Sequence, residues 1–214
     1  MMSTLYDPKV RNVLDAMHAA ADSNDPPLLA KAKGKKGAAR TVLLDDAFIP
    51  VSRDGGRLVY TLVRAAAPGT TVEFGTSFGI STIYMAAAVR DRGTGRVITT
   101  ELLKSKADRA REYIREAGLL DLVDLRVGDA LETLEDLAAD VTVLFLDGWK
   151  ELYLPLLKML EPKLKPGALV AADDIHLFPE ALEKYLAYVR EPANGYVSIT
   201  FPEGDAVEVS VRAR

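Results

Sequence analysis

From residue 70 onward, short apolar runs alternate with helical patterns of 10 to 14 residues. The runs predict strands at Thr71–Phe74, Arg96–Thr100, Val123–Val127, Val141–Leu146 and Ala168–Ala172, with helices near 79–91, 104–117, 130–138, 150–160 and 178–190. Gly118 closes one helix, and Lys165-Pro166-Gly167 marks the turn into the fifth strand. This alternation is the pattern of right-handed βαβ units: a parallel sheet with helices on both faces. Val197, Ile199 and Phe201 then alternate with polar residues, Pro202-Glu203-Gly204-Asp205 turns, and Val207, Val209 and Val211 alternate again, so the chain ends in a β-hairpin.

Ahead of this region the rhythm differs. Asp7-Pro8 reads as an N-cap and first helical position, and Val10, Val13, Leu14 and Met17 fall on one face of the helix that follows. Residues 22–40, DSNDPPLLAKAKGKKGAAR, have no clear period and predict an irregular, mobile connector. A second helix is expected near 53–66, with Leu58, Leu62 and Val63 on one face and Pro68-Gly69 as its stop.

The chain's 214 residues allow one full-sized domain with extra segments. The first 69 are read as a segment attached to a core at 70–214, not as a second domain. With 27 basic against 31 acidic residues there is no global pull toward nucleic acid or an anionic membrane, and any such partner must be met locally. The absence of cysteine excludes disulfides, thiolate catalysis and cysteine-ligated metals. No run approaches the roughly 18 apolar residues of a membrane span, and the opening MMSTLYDPKVRN has no signal-peptide core, so the expected location is cytoplasmic.

Candidate chemistry begins at the loop after the first strand, Val72-Glu73-Phe74-Gly75-Thr76-Ser77-Phe78-Gly79-Ile80-Ser81. Ligands of doubly wound sheets bind at such strand ends, where glycine lets the backbone come close. A dinucleotide site would want glycine where Ser77 and Ile80 stand. The same residues satisfy G-x-S-x-G, a hydrolase nucleophile elbow at Ser77 with Asp147 and His176 following, although here it would sit on the first strand. A third reading is the E/D-x-G-x-x-x-G loop of S-adenosylmethionine enzymes. Glu101, at the end of the second strand, is placed to accept both hydroxyls of a ribose in either nucleotide reading.

Asp147 ends the fourth strand, and Asp173 with Asp174 ends the fifth. If those strands are neighbours, the three carboxylates converge beside the glycine loop and would repel unless a cation joined them. An all-oxygen set suits Mg²⁺, Ca²⁺ or Mn²⁺ better than Zn²⁺; the bland alternative is that each aspartate caps a helix. Lys150 lies three residues past Asp147 at a helix start, where a metal and the helix end both disfavour its protonation, making it a candidate base. Trp149, the sole tryptophan, is a candidate pocket wall.

Together these residues resemble the metal-dependent class I O-methyltransferases, the family of catechol and caffeoyl-CoA O-methyltransferases and their bacterial relatives. Val72 through Ser81 is similar to the cofactor loop, carrying Glu73, Gly75, Ser77, Gly79 and Ser81, and Glu101 to the ribose acid. Gly128-Asp129-Ala130 falls where the family holds adenine, and Val51 where a backbone touches the methionine part. Leu146-Asp147-Gly148-Trp149-Lys150 resembles the stretch with a metal aspartate and the general base, and Ala172-Asp173-Asp174 the other metal ligands. The closing NGYVSITFPEGDAVEVSVR resembles the family's final hairpin. Two departures stand out: Asp174 where the family often has asparagine, and Gly148 where catechol enzymes have histidine.

The resemblance implies a Rossmann-like doubly wound α/β fold, seven-stranded and mostly parallel with an antiparallel C-terminal strand. It also implies a homodimer, with residues 1–69 as lid and dimerisation segment and the apolar face of the first helix contributing to the dimer, and methyl transfer from S-adenosylmethionine to a hydroxyl of a small catechol-like aromatic. Asp147, Asp173 and Asp174 would then hold the divalent cation, with Asp147 also beside the cofactor and Lys150 as base. Some relatives instead methylate a modified tRNA uridine, for which the cluster Lys31, Lys33, Lys35, Lys36 and Arg40 is the only supporting feature; a solvated lid is the plainer reading of that cluster.

Overall fold

The computed structural model describes residues 2–35, 37–138 and 140–213. Its centre is a seven-stranded sheet built from β1 (Thr70–Phe74), β2 (Arg96–Glu101), β3 (Val123–Val127), β4 (Val141–Leu146), β5 (Leu164–Ala172), β6 (Tyr196–Phe201) and β7 (Val207–Arg212), in the order β3-β2-β1-β4-β5-β7-β6. The first five are parallel; β7 runs antiparallel to both β5 and β6. Every residue of β4 is buried, as expected for a central parallel strand covered on both faces. Val143 and Phe145 of β4 pack into one core, and Leu144 and Leu146 into the other.

The first core is closed by α1 (Pro8–Ala32), α3 (Arg53–Ala65), α4 (Ile80–Arg92) and α5 (Lys104–Glu116). The opposite one is closed by α6 (Ala130–Thr133), α7 (Tyr153–Leu160) and α8 (Pro179–Arg190). The short α2 (Gly37–Leu43) follows α1, and Leu44 and Ala47 beyond it pack with Ala32 in a small separate cluster.

Three sequence expectations are corrected. Residues 22–40 are not an irregular connector: α1 runs on through Pro26 and Pro27 to Ala32, and α2 begins at Gly37 and takes in the end of the stretch. The helix survives its prolines because its middle is stitched to a neighbouring segment. The buried Asp25 carboxylate accepts Phe48 N (2.9 Å) and Ile49 N (2.7 Å), and Asn24 Nδ2 donates to Asp46 O at 2.6 Å. Next, the apolar face of α1 is not free to join a partner, because Val10, Val13, Leu14 and Met17 are buried in this chain's own core. Finally, Lys165-Pro166-Gly167 lies within β5 instead of preceding it. The pairing steps from Val141↔Leu164 to Val143↔Leu169, so the tripeptide bulges out of an otherwise continuous strand. Smaller differences are a four-residue α6 where 130–138 was expected and a 3-10 turn, Lys150–Leu152, ahead of α7.

Candidate active site at the carboxyl edge of the sheet

Strand order reverses at β1, which has β2 on one side and β4 on the other, so the crevice between the loops after β1 and β4 is the expected ligand site. Phe74, Leu146 and Ala172 are in register across β1, β4 and β5, so the next residues, Gly75, Asp147 and Asp173, stand abreast at the sheet edge. Asp147 N donates to Phe74 O (2.9 Å) and Asp173 N to Leu146 O (3.0 Å), carrying the ladders one step past the strands.

The loops after β1 and β4 are in backbone contact. Gly75 has φ +103°, and a Cβ there would sit 2.6 Å from Asp147 O. A Cβ on Gly148 would lie 2.5 Å from the Phe74 ring, so no histidine fits at this position without moving that ring. Both glycines exist because the loops touch.

A cleft of about 1270 Å³ opens here. Val51, Gly75, Ser77, Ser81, Glu101, Gly128, Asp129, Ala130, Asp147, Lys150 and Asp174 all line it, and Trp149 and Phe178 add aromatic wall. Its far side is α1, through Asp25, Pro26 and Leu29, and α2 with the residue after it, through Arg40 and Leu44. Of the basic cluster, Lys35 and Arg40 line the cleft, Lys31 and Lys33 are exposed, and Lys36 lies outside the described residues. Among the described residues, non-glycine positive φ occurs at Ile49 (44°), Ser77 (47°), Asp174 (59°) and Ala206 (67°). The first three line the cleft, and such strain collects at ligand sites.

Glu73, Gly79 and Asp173 do not line the cleft. Gly79 is the left-handed N-cap of α4, with φ 93°. Glu73 is fully buried beneath the glycine loop, where it accepts hydrogen bonds from Ser81 Oγ (2.5 Å), Thr82 Oγ1 (2.5 Å) and Thr99 Oγ1 (2.6 Å). It therefore shapes the loop from below. Burial outweighs those three bonds and pushes its carboxyl up from 4.5 to about 7. A carboxyl whose folded value is raised favours the folded state below its unfolded value and loses that contribution as pH rises through the folded value. The parent should therefore lose stability relative to Glu73→Gln between pH 4.5 and about 7. Urea midpoints across that range check this; parallel curves for the two proteins would refute it.

Glu101 is similarly occupied in part. Its carboxylate accepts Ser77 N (2.8 Å) and Leu103 N (3.0 Å), which leaves further lone pairs toward the cleft. Asp129 caps α6 by accepting Leu131 N at 2.8 Å. Ser77 Oγ donates to Phe48 O (2.7 Å) and receives Lys106 Nζ (3.2 Å); neither partner is an imidazole, so the nucleophile-elbow reading fails on geometry.

The acid cluster is organised around one cation. Lys150 Nζ, with its side chain only 8% exposed, is 2.9 Å from Asp174 Oδ2 and 3.6 Å from Asp147 Oδ1, and donates to Tyr153 Oη at 2.7 Å. Asp173 Oδ1 accepts the Asp174 N–H at 2.9 Å. Burial and the charge of Asp173 push Asp147 well above the usual carboxylate range in spite of Lys150. Burial and Asp174 push Asp173 up to about 6. Among the described residues no three carboxylate or imidazole groups are arranged as a finished metal-ligand set. The donor chemistry nevertheless suits a hard divalent ion: all oxygen, with two carboxylates facing one ammonium and Asp173 beside them.

Sequence reasoning missed Lys106, Phe48 and Asp25. Phe48 and Asp25 act through contacts 23 or more residues away in the chain and leave no local signal. Lys106 did leave one, since it stands four residues before the buried Ala110 on α5 and so falls on that helix's inward side.

Residues 72–175 match a methyltransferase-domain family. The chain is 31% identical to a catechol O-methyltransferase of Mycobacterium tuberculosis over 163 residues, covering 76% of this chain and 71% of that one. It is 34% identical to the Sus scrofa catechol O-methyltransferase over 147 residues, 65% and 77% of the two chains. Among solved structures, cofactor-bound Rv0187 from MTB superposes with a TM-score of 0.70 at 25% identity, over 97% of this chain and 98% of that one. The O-methyltransferase TomG from Streptomyces achromogenes, in complex with SAM, shares the fold with a TM-score of 0.69 at 23% identity, over 97% and 100%. With its glycine loop at the switch point of this sheet, the chain belongs to the class I S-adenosylmethionine-dependent O-methyltransferases.

Proposed function

We propose that the enzyme methylates a hydroxyl of a small catechol-like aromatic, with Lys150 as general base and a divalent cation, most simply Mg²⁺, held by Asp147, Asp173 and Asp174. The observation that carries this reading is the buried Lys150 side chain between Asp174 and Asp147 at the edge that also bears the glycine loop. Gly75, Ser77, Ser81, Gly128, Asp129, Ala130 and Val51 form the wall assigned to the methyl donor, with Glu101 taking its ribose hydroxyls. Glu73 and Gly79 act from beneath that wall, on its shape.

When bound, S-adenosylmethionine supplies an electrophilic methyl group and the divalent cation a charge that stabilises a phenolate. In its neutral amine form, with its own proton given up to solvent, Lys150 Nζ would take the proton from the acceptor hydroxyl, and Tyr153 Oη with Asp174 positions the nitrogen for it. Trp149 and Phe178 clamp the flat face of the ring, and the packed loops after β1 and β4 fix the distance between donor and acceptor. A homodimer, formed through a surface other than the buried face of α1, and a location in the cytoplasm complete the proposal. Among the described residues no helix is long and apolar enough to cross a membrane.

Chelator-treated protein supplied with labelled methyl donor and a panel of catechols should be inactive and recover on addition of Mg²⁺ or Mn²⁺. Undiminished methylation of the panel after chelation would remove the cation from the mechanism.

A further inference from the structure

Lys106 is a lysine on the inner side of α5, only 6% exposed. Burying an ammonium is costly unless it is paired, and burial does push Lys106 below the usual lysine range, opposed chiefly by Glu101 and then by Asp45 and Asp25. The reaction scheme above gives this group no task, yet it has specific partners. Its Nζ donates to Ala47 O (2.8 Å) and to Ser77 Oγ (3.2 Å), and lies 5.2 Å from the centre of the Phe78 ring. Ser77 holds a left-handed backbone (φ 47°), and its N–H and hydroxyl are both committed, to Glu101 and Phe48 O. Phe48 in turn packs edge-on against Phe78 at 4.5 Å. One ammonium therefore fastens the strained residue of the glycine loop to the 47–49 segment, which Asp25 ties to the α1 wall.

We propose that Lys106 is a positioning residue for methyl-donor binding, its ammonium bridging Ala47 O and Ser77 Oγ so that the glycine loop is held in its binding shape. The inference rests on the assignment of that loop to the donor. Binding to a loop already in shape avoids the ordering cost that a slack loop would impose at each encounter.

Calorimetric titration with S-adenosylhomocysteine on the parent, Lys106→Met, Ser77→Ala and the double variant tests it. Lys106→Met should bind about tenfold more weakly, the scale of one lost charged hydrogen bond. The KM for the methyl donor should rise in parallel, with kcat at saturation within about twofold of the parent. The double variant should bind no worse than the weaker single variant, because both break the same link. A role confined to stability would lower the urea midpoint of Lys106→Met but leave its affinity within about twofold of the parent and the two changes additive; either result overturns the proposal. If Lys106→Met does not fold, Lys106→Leu, which likewise lacks a donor, carries the same comparison. A folded parent that fails to bind S-adenosylhomocysteine at all would sink the donor-site assignment instead.

Discussion

Replacing Lys150 by methionine should reduce methyl transfer by about 10²–10⁴-fold, the usual contribution of a positioned general base, while affinity for the donor changes little. Methionine keeps most of the stem and removes the charge. It also leaves Asp147, Asp174 and the Tyr153 hydroxyl without their shared partner, and breaking a buried ion pair costs about 3–5 kcal/mol. Rates must therefore be compared on protein shown to be folded by circular dichroism at the assay temperature. Asp147→Asn keeps the shape of its carboxylate and removes one charge, and should lose activity in the same direction. The informative pattern is a fall in kcat with the donor Kd preserved, since the proposed mechanism puts Lys150 on the acceptor side of the cleft. If folded Lys150→Met methylates catechols at the parent rate, the base lies elsewhere.

The second large effect is expected at Gly75→Ala. The added methyl would sit 2.6 Å from Asp147 O and 2.9 Å from Gly148 N, both backbone atoms that cannot swing aside. The φ of +103° is costly for any residue with a side chain. Backbone strain of about 1–3 kcal/mol and overpacking of a similar size should lower the unfolding midpoint. Any protein that still folds must have parted the loops after β1 and β4, so donor binding should weaken by at least about tenfold. Gly93→Ala is the control. It also has positive φ (+80°) but meets nothing within 4 Å, so it should cost about 1–2 kcal/mol and leave binding unchanged. Equal behaviour of the two variants would show that the contact between the loops is not what requires glycine at 75.

The parts of this molecule that announced themselves in the sequence are those fixed by local physics. β4 begins and ends where its apolar run does, because a parallel strand covered on both faces must be apolar nearly throughout, and the edge strand β3 is bounded as its alternation of apolar and charged residues predicts. Asp147, Asp173 and Asp174 could be placed at one edge because the residue following a strand has nowhere else to be. Long-range contacts decided the rest. Pro26-Pro27 reads as a helix breaker on any local rule, and α1 passes through it because Asp25 and Asn24 are held by residues more than twenty positions later. Lys106 looks like one more surface charge in KSKADRAREYI until Ala47 and Ser77 close over it. Glu73 fits the sequence motif of the cofactor loop, but its placement under the loop instead of in the cleft follows from the pleat of β1, which turns it toward the hydroxyls of Ser81, Thr82 and Thr99.

The stitch between Asp25 and the 48–49 backbone also bears on where the donor-binding unit begins. Ser77, on the glycine loop, donates its hydroxyl to Phe48 O, and Lys106 on α5 donates to Ala47 O. Both acceptors lie upstream of residues 72–175, the stretch recognisable as a methyltransferase domain. That stretch, excised, would expose Phe78 where Phe48 had covered it and leave the hydroxyl of Ser77 and the ammonium of Lys106 without their carbonyl acceptors. On the proposed assignment of the glycine loop to the donor, a piece able to grip the donor should therefore reach back to include α1, which Asp25 ties to the 48–49 backbone.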